Sequence, residues 1–200
     1  RRFDIFIHFA VASARMAMED SGLKINDSNR YRVGCLTGSG LGGLTNLEYY
    51  HKVLLEQGPK KISPFFIPGM IANMAPGQIA IEFGVKGPNL SIETACAASG
   101  HSIGESFRLI REGRADAMIT GGSEAVVTPL ALGGFCAMRA LTSRNAEPEK
   151  ASRPFDLNRD GFVMGEGAGL LILEEMGHAL ERGAKVYAEV AGYGLSADAY

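Results

Sequence analysis

The segment that most constrains the fold spans residues 89–122 and alternates strand, helix and strand. "NLSIETA" is typical of a strand, Ile103, Phe107 and Ile110 are spaced by four and three as on a helix, and "ADAMITGG" is again strand-like. Such a run of about thirty residues is a βαβ unit, whose strands are parallel and joined by a right-handed crossover. We therefore predict an α/β protein with helices packed on a largely parallel or mixed sheet.

The same alternation is expected on both sides of this unit. Helices are predicted from about Phe3 to Asp20, over "LTNLEYYHKVLLEQ", and through Pro76 to Phe83, with a strand at "YRVGCLTG". Towards the end, "GAGLLILEE", "MGHALERG" and "KVYAEVAGYG" predict a strand, a helix and a further strand.

Composition excludes several classes of protein. Of the 200 residues, 46% are hydrophobic and 21% charged, as in soluble globular proteins, and the net charge of -2 favours neither nucleic acid nor an anionic membrane as a partner. The three cysteines form no C-x-x-C pair, which argues against a zinc site or a disulfide framework and for a reducing compartment. We expect no membrane partner, no metal and no cofactor.

Cys96 lies where the strand of the βαβ unit turns into its helix, among small residues. The free N–H groups and positive dipole end of that helix would favour a thiolate and could bind an oxyanion on an attacked carbonyl. The alternative is a small buried core cysteine, and the spacing alone leaves both interpretations open. Cys35 and Cys136 are interpreted as structural, with Cys136 the nearer to a pocket.

"GPNLSIETACAASGHSIGESFRLIREGRADAMITGGSEA", "TPLALGGFCAMRALTSRN" and "ASRPFDLNRDGFVMGEGAGLLILEE" resemble, in this order, segments of β-ketoacyl-[acyl-carrier-protein] synthases. These are condensing enzymes of the thiolase-like superfamily. The resemblance covers essentially the whole chain and is closest to the type II synthases of dissociated fatty-acid synthesis. It implies a thiolase-like layered fold, of which residues 1–200 would be the N-terminal ketosynthase region, incomplete at both ends.

The resemblance also implies an activity. Cys96 would accept an acyl group from acyl carrier protein, and its backbone N–H would form half of an oxyanion hole. Decarboxylation of malonyl carrier protein would then yield a carbanion that attacks the thioester and gives a β-ketoacyl carrier protein for fatty acid elongation. The family further implies a homodimer. The reducing compartment that the cysteines indicate is interpreted as the cytoplasm, or as a plastid or mitochondrial matrix in a eukaryote.

Three pocket residues follow from the same resemblance. Phe135 matches the aromatic residue that gates the acyl tunnel, Leu41 matches a pocket-lining position, and Phe66 matches a residue that the dimer partner contributes. Without the resemblance, Phe135 and Phe66 could be ordinary core packing, and the segment around Leu41 could pass for a phosphate-binding loop. "GSGLGG" around Leu41 lacks the lysine of a P-loop, so nucleotide binding is not expected.

The charged motif "RPFDLNRDGFVMGEG" could suggest metal or acid–base chemistry. The family resemblance instead implies that Asp156, Arg159, Asp160 and Glu166 are structural, forming salt bridges and turn contacts beneath the active site.

This sequence has no match to the basic residues with which the family activates its cysteine. The family uses two histidines and a lysine from the second half of its fold, and none of His8, His51, His101 and His178 lies in such a motif. His101 is five residues after Cys96, about 140° round a continuous helix, so it is expected to face elsewhere. The 200-residue chain alone is therefore predicted to be inactive.

Other functions remain open at this stage. A polyketide ketosynthase is the nearest, although those usually carry a "TACSSS"-like stretch, and a thiolase is less similar in the charged motif. A non-catalytic partner subunit of a condensing-enzyme heterodimer would lack the cysteine. A cysteine hydrolase would need a histidine within reach of Cys96.

Overall fold

The computed structural model describes residues 3–199 and has a four-stranded sheet at its centre. The strands lie in the order β2-β1-β3-β4. β1 is parallel to both β2 and β3, whereas β4 is antiparallel to β3. The prediction of a mixed, largely parallel α/β sheet is therefore confirmed. The strands are β1 Val33–Gly38, β2 Asn89–Ile92, β3 Ala117–Glu124 and β4 Gly167–Glu174.

Within the described residues, seven α-helices connect and cover these strands. They are α1 Ile5–Ser21, α2 Leu44–Gln57, α3 Phe66–Met70, α4 Met74–Phe83, α5 Ala98–Arg111, α6 Pro129–Ala137 and α7 Met176–Glu181. α1 begins where the Asp4 carboxylate accepts a hydrogen bond from the Ile5 N–H at 2.6 Å. It ends at Gly22, whose φ of 64° is the left-handed conformation that glycine adopts without a steric penalty.

The helices form layers on the two faces of the sheet. Alternate strand residues point to opposite faces, so Cys35 and Ile119 pack with α1 and α4 while Leu36 and Met118 pack with α5. All four side chains are fully buried. Burial of each large aliphatic side chain contributes about 1.5–3 kcal/mol, so the two central strands anchor the fold.

α5 approaches the sheet closely because its buried face is built from small residues. Ser102, Gly104 and Ser106 are buried, whereas the larger Ile103 and Phe107 are only half-buried. The facing residue of the sheet is small as well. It is Gly38 of β1, where a Cβ would overlap the Ala98 backbone. The apolar periodicity therefore predicted the helix correctly. Of the predicted positions, Ile110 packs with Leu36 and Met118 of the strands, and small residues form most of the rest of the buried face.

The βαβ unit is confirmed, with β1 inserted between its two strands. The strand predicted at "KVYAEVAGYG" is wrong, since residues 184–199 have no regular secondary structure. A strand needs a neighbouring strand to satisfy its backbone groups, and this segment does not join the sheet. Its Tyr193 ring instead packs over Gly104 of α5. Within residues 3–199, no helix is long and apolar enough to cross a membrane.

Candidate active site

The candidate site lies at the edge of the sheet where the parallel strands end. Gly38 of β1 is in register with Ile92 of β2 and Gly122 of β3, so the three carboxyl ends meet. Cys96 follows β2, in a single 3-10 turn at Ala95–Ala97 that leads into α5. It is exposed, as a nucleophile must be.

The turn that carries Cys96 has a strained backbone. Ala95 has a φ of 51°, in the left-handed region that costs a residue with a side chain about 1–2 kcal/mol. Two backbone hydrogen bonds close the turn, from the Ala97 N–H to the Thr94 carbonyl at 3.2 Å and from the Ala98 N–H to the Ala95 carbonyl. Strain of this kind persists where neighbouring structure fixes it, and it is frequent at functional sites.

A carboxylate from the neighbouring strand organises the loop beside this turn. At the end of β3, Glu124 accepts hydrogen bonds from the Ser39 hydroxyl at 3.1 Å and from the N–H groups of Gly40 and Leu41 at 2.5 and 3.1 Å. A Cβ at Gly40 would lie only 3.8 Å from the Cα of Ala95. The loop that carries Leu41 therefore adjoins the turn that carries Cys96.

The three cysteines occupy different environments. Cys35 is buried in β1, and burial raises the pKa of its thiol well above the usual value. Its interpretation as structural is thus consistent with its position. Cys136 is exposed on α6, so accessibility alone does not distinguish it from Cys96. What distinguishes Cys96 is its position at the N-terminal end of the 14-residue helix α5.

The predicted pocket residues are placed as follows. Leu41 is 53% exposed in the loop held by Glu124. Phe66 is half-buried on α3 and packs against Tyr50, with ring centroids 5.0 Å apart. Phe135 is half-buried on α6, edge-to-face with Phe162 at 5.2 Å. The structure thus brings Leu41 next to the cysteine turn and gives both phenylalanines aromatic neighbours.

The charged motif makes the kind of contacts expected of structural residues. The Thr142 hydroxyl donates to Asp160 at 2.8 Å, and this bond, with Arg144 nearby, holds the pKa of Asp160 below its usual value. Glu166 accepts from the Val127 N–H at 2.8 Å, just after β3.

The other two members of the motif form turn contacts. Asp156 accepts from the Asn158 N–H at 2.7 Å, and Arg159 donates to the Asp156 carbonyl at 2.9 Å. Among residues 3–199 there is no cluster of three or more histidine, cysteine, aspartate or glutamate side chains that could hold a metal ion.

Two surface cavities lie away from Cys96. One, of about 510 Å³, lies between α2 and α6 and is lined by His51, Leu55 and Leu130 among others. The other, of about 920 Å³, is lined by residues 139–140, 152–155 and 159–162. Neither cavity includes Cys96 in its lining, so neither is identified with the chemistry.

The histidines follow the prediction with one correction. His8 and His51 are exposed on α1 and α2, as expected. His178 Nδ1 lies 2.5 Å from Glu174 Oε1. His101 Nδ1 lies 2.6 Å from the Thr94 hydroxyl, two residues before Cys96. The predicted angle assumed one continuous helix from Cys96, but the intervening 3-10 turn breaks that geometry.

Sequence reasoning missed two features of the site: the role of Glu124, and the contact between Thr94 and His101. A carboxylate directly after a buried parallel strand, facing a glycine-rich loop after another strand, is a signal that could have identified Glu124. No sequence spacing would have indicated the second contact.

The sequence matches the model of the family described as "Beta-ketoacyl synthase, N-terminal domain" over residues 1–179. The chain belongs to this family. Curated relatives named 3-oxoacyl-[acyl-carrier-protein] synthase 2 align with the whole chain and with 48% of their own length. The identities are 56% for the protein of Coxiella burnetii, 54% for Synechocystis and 52% for Vibrio cholerae. The chain thus spans about half the length of these relatives.

Solved structures agree on the fold. The ishigamide ketosynthase/chain length factor superposes with a TM-score of 0.87 at 36% identity, over 99% of this chain and 48% of that one. A type II PKS acyl-carrier protein in complex with its ketosynthase gives 0.85 at 36% identity, over 94% and 47%. The thiolase-like ketosynthase fold expected from the sequence is therefore confirmed.

Proposed function

We propose that this chain is the nucleophile-bearing N-terminal half of a condensing enzyme of fatty acid elongation. The Cys96 thiolate attacks the carbonyl of an acyl carrier protein thioester, the new S–C bond forms, and the carrier thiol leaves. Malonyl carrier protein then loses CO₂, and the electron pair of the broken C–C bond attacks the Cys96 thioester. The cysteine sulfur leaves, and the product is a β-ketoacyl carrier protein two carbons longer.

The observation that carries this proposal is the position of Cys96. It is exposed in a strained turn between a parallel strand and the N-terminal end of α5. N–H groups at a helix N-terminus favour a thiolate and bind a developing oxyanion. We assign the Cys96 N–H as one oxyanion donor, as the family resemblance implies.

The sequence relationship supports fatty acid elongation rather than polyketide synthesis. The relatives named 3-oxoacyl-[acyl-carrier-protein] synthase 2 are 51–56% identical to this chain, whereas the ketosynthase solved with a type II PKS acyl-carrier protein is 36% identical. Leu41, adjacent to the cysteine turn, and Phe135 and Phe66 are proposed to contact the acyl chain. No cofactor enters the reaction as written.

We further propose that the carrier protein is the partner and that the enzyme is a cytoplasmic homodimer. One structural neighbour is described as an acyl-carrier protein in complex with its ketosynthase. Strand β2 is one of the two outer strands of the described sheet and exposes 54% of Leu90. An unpaired strand edge with an exposed apolar residue is suited to pairing with a second copy.

Catalysis by this half alone is not expected. The base that deprotonates Cys96 and the groups that assist decarboxylation are proposed to come from the part that corresponds to the remaining half of the relatives. His8 and His51 are exposed on helices, and His178 is paired with Glu174, so none of these three is assigned that role.

Selective labelling tests the proposal. The full-length protein would be treated with iodoacetamide or cerulenin, digested, and the modified cysteine located by mass spectrometry. Cys136 is a matched internal control because it is also exposed, while Cys35 is buried. Selective modification of Cys96, blocked by prior incubation with acyl carrier protein thioester, is the expected result.

Equal modification of Cys96 and Cys136, without protection by the acyl carrier protein, would refute the catalytic assignment. The products distinguish the alternatives. A single two-carbon extension of a saturated acyl group supports the elongation enzyme, repeated extension without reduction indicates a polyketide synthase, and release of free acid indicates a hydrolase.

A further inference from the structure

We propose that Thr94 and His101 form a clamp that holds the turn carrying Cys96 in its reactive position. The inference rests on the proposed function of Cys96 and adds two positioning residues to it. The Thr94 hydroxyl and His101 Nδ1 are 2.6 Å apart, a short hydrogen bond between residues seven apart in sequence. The bond therefore bridges the whole 3-10 turn, from the residue that precedes it to the fourth residue of α5.

The turn needs such support because its backbone is strained and its three residues are exposed. Ala95 has an unfavourable positive φ, and the turn is only three residues long. The strand before it is partly exposed along its length, so the strand supplies little packing. A side-chain bridge that joins both flanks opposes relaxation of Ala95 towards an ordinary conformation, which would move the Cys96 sulfur.

The imidazole also contacts an aromatic ring. The Tyr193 ring lies edge-on to the His101 ring, with centroids 6.4 Å apart. Tyr193 can occupy this position because Gly104 of α5 lacks a side chain: a Cβ there would overlap the ring. His101 is half-buried between these neighbours, so its hydrogen bond to Thr94 is made by a pre-positioned group.

The clamp is tested in the full-length enzyme with two variants at each residue, one that removes the hydrogen bond and one that keeps it. Thr94→Val removes the hydroxyl and keeps the shape, whereas Thr94→Ser keeps the hydroxyl. His101→Leu removes the hydrogen-bonding ring, whereas His101→Asn keeps a polar atom near the position of Nδ1. His178→Leu is the control, because it removes an imidazole of a different helix, α7, whose partner is Glu174 of β4.

The measurement is the single-turnover rate of acyl transfer from acyl carrier protein to Cys96. Thr94→Val and His101→Leu are each expected to slow acylation about tenfold or more at saturation, with the half-saturating carrier concentration changed less than about twofold. Thr94→Ser, His101→Asn and the control should stay within about threefold of wild type. The double variant Thr94→Val/His101→Leu should be no slower than the slower single variant, since both remove one interaction.

A Thr94→Val enzyme that acylates at the wild-type rate would overturn the clamp, as would equal losses in Thr94→Val and Thr94→Ser. The imidazole ¹⁵N shifts of His101 test the bond independently of acylation. They should move in Thr94→Val and not in the control, and unchanged shifts would also refute the clamp. These results differ from those expected if the proposed function is wrong, since in that case Cys96 of the wild-type protein would not be acylated.

Discussion

The centre and the edges of the sheet are built differently. β1 is buried along its whole length and β3 along all but its last residue, whereas Leu90 of β2 and Leu171 of β4 are 54% and 51% exposed. The proposed nucleophile follows an outer strand. Its turn is positioned by groups that belong to the central strands, through Glu124 and through the packing of Ala98 on Gly38. Stability thus resides in the centre and chemistry at the edge.

Truncating one aliphatic side chain in a central strand and one in an outer strand should give the largest difference in the free energy of unfolding. Ile119→Ala in β3 removes a fully buried side chain and should lower the free energy of unfolding by about 4 kcal/mol. Leu171→Ala in β4 removes a half-exposed one and should cost less than about 1.5 kcal/mol. Urea denaturation of the full-length protein measures both, and equal losses would contradict the distinction between centre and edge.

A glycine pair tests the close approach of α5 to the sheet. Gly38→Ala in β1 places a Cβ against the Ala98 backbone and should cost about 2–3 kcal/mol. It should also slow acylation of Cys96, because Ala98 begins the helix that follows the cysteine turn. Gly169→Ala in β4 meets no atom within 4 Å and should be within about 0.5 kcal/mol of wild type. The comparison fails if both variants unfold at the same urea concentration.

Glu124→Gln should loosen the loop at residues 39–41 without unfolding the sheet. The amide cannot match the charge-assisted bonds that the carboxylate accepts from the N–H groups of Gly40 and Leu41, so a loss of about 2 kcal/mol is expected. Hydrogen exchange of those two amides should speed up while the amides of Leu36 and Ile119 stay protected. Uniform loss of protection would show that Glu124 supports the whole fold instead.

The smallest effect is a pH dependence at the end of β4. Burial raises the pKa of Glu174, but hydrogen bonds from Arg182 and His178 outweigh it and leave the pKa below its usual value. A lowered folded-state pKa gives stability that is present above the unfolded pKa and lost as the pH falls through the folded one. The stability difference between wild type and Glu174→Gln should therefore be about 1 kcal/mol at pH 7 and shrink between pH 5 and pH 3. A difference that stays constant with pH would contradict this assignment.

The sequence predicted those parts of the fold that depend on local periodicity. The helix spacing of Ile103 and Ile110 and the apolar strands around it were sufficient for the βαβ unit. "KVYAEVAGYG" has the pattern of a strand, but whether a neighbouring strand pairs with it is decided by the rest of the molecule. The bonds of Glu124 join residues 83 to 85 positions apart, which no local pattern indicates. Cys96 was identified by resemblance, since its spacing alone left a core cysteine equally plausible.

The order of the strands along the chain determines when the site can first form during synthesis. Cys96 and the loop at residues 39–41 leave the ribosome well before Glu124, which fixes that loop and ends the strand lying next to β1. At about 5–20 residues per second, the cysteine precedes its supporting strand by seconds. The newly made thiol therefore emerges before its surroundings are ordered, and its proposed reactivity would arise only once β3 has docked.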